Sequence, residues 1–317
     1  MKLKGKRVLV TGGAGFIGSH LVDRLVEENA EVVVVDNLKD GDLGNLAESM
    51  DKIEFHKVDI RDFESLKKVM NGVEIVFHLA ANANVPYSVE DPKYDFETNA
   101  LGTFNVLKLS LDFDVKKVIY ASSAAVYGEP VYVPIDEKHP LNPISPYGAS
   151  KLAGERLGFA YYSTYGLKFV AMRIFNTYGE RQRRYVMYDF LKKLTENPSR
   201  LEVLGTGKQV RDFCYVKDCV EAFILAAEKN VAVGETFNIA GGNPISIKEL
   251  AYLMVKILGL NGRTKIVFTG RSWKGDIVKL YADITKIKRK LEFKPKVGLE
   301  EGILRLKRWF DENNPCL

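Results

Sequence analysis

The sequence predicts an α/β fold: a doubly wound parallel sheet followed by a smaller α/β domain. Two observations carry that expectation. Short β-branched runs alternate with helical patterns through the first half of the chain, which is the signature of strands joined by crossover helices. A glycine-rich turn joins the first run to the first helix, and an acid ends the second run.

The elements follow in order. Arg7-Val8-Leu9-Val10 reads as a strand, and Leu21, Val22, Leu25 and Val26 mark the helix after Thr11 to Gly18. Within that turn, Gly13, Gly15 and Gly18 fit G-x-G-x-x-G, and Gly12, Gly15 and Gly18 fit G-x-x-G-x-x-G. Glycine allows a tight turn and close approach of backbone to a pyrophosphate, whose charge then faces the helix N-terminus beside Phe16 and Ile17. Val32 to Val35 forms the next strand and ends in Asp36 and Asn37. A carboxylate at Asp36 binds an adenosine 2'-hydroxyl and repels a 2'-phosphate, so this Rossmann-type unit is expected to take NAD over NADP.

Ile53 to Val58 reads as a third strand leading to Asp59-Ile60, placed to contact an adenine, and Phe63 to Met70 as a helix. Glu74 to Ala81 reads as the fourth strand, with Leu79, Ala80 and Ala81 small enough at its end to leave cofactor space. His78, inside this apolar run, is expected to be a core histidine. A polar loop follows. Tyr94 to Ser110 reads as a helix carrying Thr98 and Asn99, both expected at the cofactor, and Lys117 to Ala121 as a fifth strand ending at Ser122-Ser123.

Phe169 to Arg173 is the sixth strand. Phe175 to Gly179 then breaks the pattern into a long polar segment. Phe213 to Glu228 reads as a strand-like entry and a helix, and Thr236 to Ala240 as a strand returning to the sheet. Ser246-Ile247-Lys248-Glu249 is a capping box, and the helix from Leu299 places Ile303, Leu306 and Phe310 on one face. The expected domains are residues 1–176, with about 212–240 returning, and residues 177–317.

At 317 residues, 46% hydrophobic and 27% charged, the composition is that of a globular protein. No apolar run approaches the roughly 20 residues of a membrane span, and no signal-peptide pattern precedes the first strand, so a cytoplasmic location is expected. Cys214, Cys219 and Cys316 show neither Cys-x-x-Cys spacing nor histidine companions, so neither metal nor disulfides are expected. The net charge of +5 is modest, with no basic stripe interleaved with aromatics, and nucleic acid is not an expected partner. The Arg181-Gln182-Arg183-Arg184 cluster is a candidate lining for an anion site. Lys286 to Lys290 reads as a solvated helix face.

The chemistry centres on Ser145-Pro146-Tyr147-Gly148-Ala149-Ser150-Lys151. Ser-Pro starts a helix, which places Tyr147 and Lys151 four apart on one face. A phenol with a pKa near 10 becomes a useful base near pH 7 only with about 4 kcal/mol of preferential stabilisation of its anion. A desolvated lysine and a cofactor cation together are a source of that magnitude.

These segments together resemble an extended short-chain dehydrogenase/reductase, and within that family the chain is similar to UDP-glucose 4-epimerases. The resemblance runs from Lys6 to about Gly302. It rests on Thr11 to His20, Ser122 to Gly128, Pro146 to Lys151, Arg173 to Gly179 and Gly207 to Asp212, in that order. It implies that Ser123 binds the sugar 4-hydroxyl, that Tyr147 removes its proton while hydride passes to the nicotinamide, and that Lys151 holds the ribose and lowers the tyrosine pKa. The 4-keto sugar then turns over and takes hydride back on its other face.

For substrate, the resemblance implies Asn176 and Arg211 at the diphosphate, Arg271 at a phosphate and Asp276 at the nucleoside ribose of a UDP-sugar. Arg271 and Asp276 are two residues further apart than in the epimerase pattern, and Asn82-Ala83-Asn84 lacks a lysine that many epimerases carry after Ala81. Homodimerisation through the Tyr94 to Ser110 and Tyr147 to Tyr162 helices is also implied. The competing enzyme readings are a nucleotide-sugar 4,6-dehydratase and a UDP-glucuronate decarboxylase. Such enzymes place an Asp-Glu pair, or a glutamate at the second position, where this chain has Ala124-Ala125. A non-catalytic NAD-binding regulator is the more distant alternative.

Overall fold

The computed structural model describes residues 2–271 and 277–314. Six strands of the first half, β1 (Arg7–Thr11), β2 (Glu31–Asp36), β3 (Ile53–Lys57), β4 (Ile75–His78), β5 (Lys117–Ser123) and β6 (Phe169–Ile174), lie in one parallel sheet. Beyond them come β7 (Asn176–Tyr178), β8 (Arg200–Val203) and β9 (Val210–Tyr215); then β10 (Thr236–Ile239) returns to the main sheet beside β6. The main sheet order is β10-β6-β5-β4-β1-β2-β3. The order reverses between β1 and β4, and the crevice over that switch point is where such sheets bind ligands. β11 (Pro244–Ser246), β12 (Lys265–Phe268) and β13 (Lys279–Leu280) complete the strands. β7, β11 and β13 pair with β9, and β12 pairs with β8.

The central strands are continuous apolar runs because helices cover both faces of the sheet. One face buries Val8, Val10, Val32 and Val34 under the Phe16–Glu27 and Val216–Glu228 helices, and the other buries Leu9, Val33 and Val76 under the Gly102–Asp112 helix. A second core, around Tyr178, Phe190, Leu250 and Phe310, holds the C-terminal unit together. The expected returning strand is thus present. β9, however, pairs with β7, β11 and β13, so the return to the main sheet begins with the Val216–Glu228 helix rather than at residue 212.

Some expected elements differ. The loop after Ala81 contains a helix, Val85–Glu90, in which Pro86 fills the first turn and Asn84 caps Tyr87 N. The expected Tyr94 to Ser110 helix starts at Pro92 and carries a π-helical turn, Glu97–Leu101, before Gly102–Asp112. The helix from Phe63 ends at Lys67, short of Met70. The long polar segment after Gly179 holds the Val186–Glu196 helix, which buries Met187, Phe190, Leu191 and Leu194. The capping box at Ser246 and Glu249 and the buried face of the Leu299–Asn313 helix are as expected.

Candidate active site

The carboxyl ends of β1, β2, β4, β5 and β6 open on one cavity of about 1580 Å3 that extends under the C-terminal unit. That exceeds the roughly 300–1,000 Å3 of a single small-ligand site and is large enough for two nucleotide-sized ligands. Its floor is the glycine turn. Gly12 adopts a positive φ of 72°, and a Cβ there would lie 2.6 Å from Ala80 N; one at Gly18 would lie 2.1 Å from Gly12 O. Glycine is required at both positions because backbone crosses backbone there. Gly15, N-cap of the Phe16–Glu27 helix, supplies no side-chain acceptor, so the first amides of the helix are left for an anion at the cavity floor.

Asp36 stands at the end of β2 on the cavity wall, its carboxylate accepting from Ala14 N at 3.0 Å and Leu38 N at 2.8 Å. Burial raises its pKa, and those two amide bonds oppose the shift. Gly15, Phe16, Ile17, Asn37, Ile60, Leu79, Ala80, Ala81, Thr98 and Phe175 also line the cavity. Thr98 Oγ1 and Asn176 Nδ2 are buried there with no hydrogen-bond partner, which leaves both available to a ligand.

Two residues expected at the cofactor do not reach the wall. Asp59 is held by Arg61 and by Asn37 Nδ2 at 2.9 Å, which keeps its carboxyl at about 2 despite partial burial. Asn99 is fully buried behind the wall, bridging Asn82, Asp95 and Ser150. His78 is a core histidine: Nδ1 meets Thr11 Oγ1 at 2.7 Å and Nε2 meets Thr103 Oγ1 at 2.9 Å, and burial holds it neutral with a pKa of about 3.

The reactive end is assembled by β5 and the Pro146–Tyr165 helix. Ser145 caps that helix through Gly148 N at 3.1 Å, and Pro146 occupies the first turn. Ser123 accepts from Ala125 N at 3.2 Å, and both it and Tyr147 line the cavity. Lys151 is 2% exposed, with its ammonium 4.2 Å over the Tyr120 ring.

Burial raises the Tyr147 phenol above its ordinary value; the Ser123 hydroxyl opposes this, while Tyr185 and Asp95 add to it. Burial lowers Lys151 to about 7, with Asp95 and Glu155 pulling the other way. The sequence expectation that the lysine acts on the phenol together with a cofactor cation is consistent with these directions. The low dielectric that weakens the lysine also penalises the phenolate, so further positive charge is needed beside Tyr147.

The substrate-side expectations divide. Asn176 and Arg211 line the cavity. Arg271 is exposed and away from its wall, its carbonyl accepting from Gly205 N at 2.9 Å. Asp276 lies outside the described residues. The Arg181–Arg184 cluster, a candidate lining for an anion site, does line the cavity, and its arginines also pair with carboxylates: Arg181 with Asp23 at 2.7 Å, Arg183 with Asp42 at 3.2 Å and Arg184 with Asp40 at 3.3 Å. Tyr185, unforeseen in the sequence, closes this strap by donating from its hydroxyl to Ala83 O at 2.9 Å. It does so at a positive φ of 76°, a costly conformation for a bulky residue.

This geometry can be set beside known proteins. The family model described as GDP-mannose 4,6 dehydratase matches residues 9–306. The chain belongs to that family, within the extended short-chain dehydrogenases/reductases. A curated relative, the putative UDP-glucose 4-epimerase of Methanocaldococcus jannaschii, is 42% identical over 97% of this chain and 99% of its own length. The UDP-glucose 4-epimerase of Thermotoga maritima, solved with UDP-glucose, superposes with a TM-score of 0.91 at 38% identity, covering 97% of this chain and 99% of that one. The dTDP-glucose 4,6-dehydratase of Streptomyces venezuelae, solved with NAD bound, gives 0.90 at 33% identity over 98% of both chains. Epimerase and dehydratase thus share this fold at nearly equal likeness, and the residues at the reactive end must separate them.

Proposed function

We propose that the chain is an NAD-dependent 4-epimerase of a UDP-hexose, UDP-glucose and UDP-galactose or their N-acetyl counterparts, acting through a transient 4-keto sugar. The observation that carries the choice of reaction is the turn after Ser123. Ala124 and Ala125 begin the turn through Val126, so no carboxylate follows Ser123 on β5. Loss of water across C5 and C6 needs a base for the C5 proton and an acid for the departing hydroxyl, and alanine is neither.

Other acids offer little help. Glu129 is exposed, and Asp136 is engaged by the Tyr132 hydroxyl at 2.7 Å and Lys138 N at 3.0 Å; neither lines the cavity. Among the described wall carboxylates, Asp36 is held by backbone amides, Asp40 and Asp42 by arginines, and Asp189 by Lys193 at 2.8 Å. Glu90, exposed on the Val85–Glu90 helix, is the remaining one, and it is the residue a dehydratase reading would require.

The cofactor fits the residues present. The glycine turn and the uncapped helix start would hold a pyrophosphate, Asp36 a ribose diol, Thr98 Oγ1 a further polar group, and Lys151 the second ribose. Bound NAD supplies a hydride acceptor and a positive charge beside the phenol. Ser123 orients the sugar hydroxyl and Tyr147 takes its proton. Asn176 and Arg211 are the candidate diphosphate contacts, the arginine fork being suited to two phosphate oxygens.

A homodimer is supported by Phe96, Leu101 and Phe104 on one helical run and Tyr162 and Tyr165 on the next, all exposed. Among the described residues no helix is long and apolar enough to cross a membrane, and no group of acids, histidines and cysteines is arranged for a metal. Assay of UDP-sugars with and without N-acetyl groups tests the substrate. A Glu90→Gln variant that keeps full epimerase turnover would remove the remaining dehydratase candidate.

A further inference from the structure

Asp95 is fully buried beneath the reactive end, on the helix that precedes the π-helical turn. Its Oδ1 accepts from Asn82 Nδ2 at 2.8 Å and Asn99 Nδ2 at 3.1 Å, and its Oδ2 accepts from Ser150 Oγ at 2.6 Å. The amides of Asn82 and Asn99 can only donate, which suits the ionised carboxylate, while burial raises its pKa against these bonds. A buried charge met only by neutral donors carries a desolvation cost. Ser150 lies between Tyr147 and Lys151 on the catalytic helix, and its hydroxyl also approaches Tyr147 O at 3.0 Å. The π-helical turn places Asn99 so that its side-chain amide reaches both Asp95 and Ser150, a distortion of the kind found at functional sites.

We propose that Asp95 is a positioning residue of the active site: a fixed buried countercharge to Lys151, tied through Ser150 to the helix that carries Tyr147. The inference rests on the epimerase reading for its kinetic test, though not for its spectroscopic one. The groups facing Lys151 are Asp95 and Glu155, which favour its charged form; the Tyr120 ring, 4.2 Å from its ammonium; and the neutral, buried His78. Tyr147 is faced by Ser123, Tyr185 and Asp95. Asp95 thus opposes deprotonation of both members of the pair. Without its charge, lysine and phenol both titrate at lower pH. A residue that only stabilised the fold would lower the rate without moving either titration.

The test is Asp95→Asn, read in two ways on the NAD-loaded enzyme. In the pH profile of kcat for UDP-sugar epimerisation, both limbs should move to lower pH. In an ultraviolet difference titration, with a matching Tyr147→Phe variant as the blank, the Tyr147 phenol should ionise at lower pH than in the parent chain. The titration needs no substrate. A shifted phenol in an enzyme that epimerises no UDP-sugar would sustain the role of Asp95 while removing the substrate reading. Unmoved limbs together with an unmoved phenol would overturn the proposal. Ser150→Ala keeps the charge, cuts its tie to the helix and carries the test even where the asparagine variant does not fold. It should lower kcat at least tenfold with both limbs in place, and an unchanged kcat or displaced limbs would overturn the positioning role.

Discussion

Ser122 donates its hydroxyl to Glu155 Oε2 at 2.7 Å, fixing β5 to the helix that carries Tyr147 and Lys151. Its neighbour Ser123 opens onto the cavity, so one strand end serves both the core and the site. Glu155 is fully buried and pairs with Arg173, which in turn donates to the Tyr127 hydroxyl at 2.9 Å; Tyr127 donates to Asn238 Oδ1 at 2.6 Å. This chain of polar contacts spans β5, β6, β10 and the catalytic helix.

Breaking a buried ion pair strands a charge, so Arg173→Met should destabilise the fold by about 3–5 kcal/mol. Urea unfolding of the variant beside the parent chain measures this. A loss below about 1 kcal/mol would mean that the pair contributes little beyond an exposed one.

The exposed pairs of the strap should behave differently. Arg183 and Arg184 meet Asp42 and Asp40 with more than a third of each side chain exposed, where such pairs contribute about 0–1 kcal/mol. Arg183→Ser with Arg184→Ser should leave the urea midpoint nearly unchanged in moderate salt. A large drop would show that the strap acts as a unit.

Lys151 links stability to pH. Its folded pKa of about 7 lies below the unfolded value near 10.4, so between these values the unfolded chain binds the extra proton. In the nucleotide-free protein this group's contribution to stability is full above the upper value and is lost as pH falls through the window toward about 7. Lys117, lowered to about 8 by burial, acts in the same direction. Unfolding free energies measured from about pH 7 to 10 should rise less steeply in Lys151→Met than in the parent. Equal slopes would contradict the depressed pKa.

For turnover, Tyr147→Phe should lower kcat by roughly two orders of magnitude or more, the scale of general acid-base catalysis, while leaving nucleotide binding near normal. Ser123→Ala should cost less, because it removes one hydrogen bond and leaves the base. Single-turnover rates on the NAD-loaded variants separate the two.

Much of this was legible in sequence because it is local. The glycine turn, the β-branched strands, Asp36 and the Tyr147–Lys151 spacing are set by residues within a few positions of one another. The Val186–Glu196 helix was missed: Met187, Phe190, Leu191 and Leu194 keep helical spacing, but the polar run before it obscured the pattern. The remainder depends on partners distant in the chain. The arginines at 181–184 line the cavity as the sequence suggested, but their pairing with Asp23, Asp40 and Asp42 is set by residues far away in the chain. Asp95 looks like an ordinary helix acid until Asn82 and Ser150 enclose it. Asp59 and Asn99 sit at the expected strand end and helix, and hydrogen bonds to neighbouring side chains engage both.

The most direct test of the account is product analysis. Pure protein, carrying its own nucleotide, is incubated with UDP-galactose, with its N-acetyl counterpart and with UDP-glucuronate, without added cofactor. The account predicts interconversion of the C4 epimers to a fixed ratio, with NAD and not NADP recovered when the protein is denatured. Accumulation of a 4-keto-6-deoxy sugar, or release of carbon dioxide from UDP-glucuronate, would contradict it.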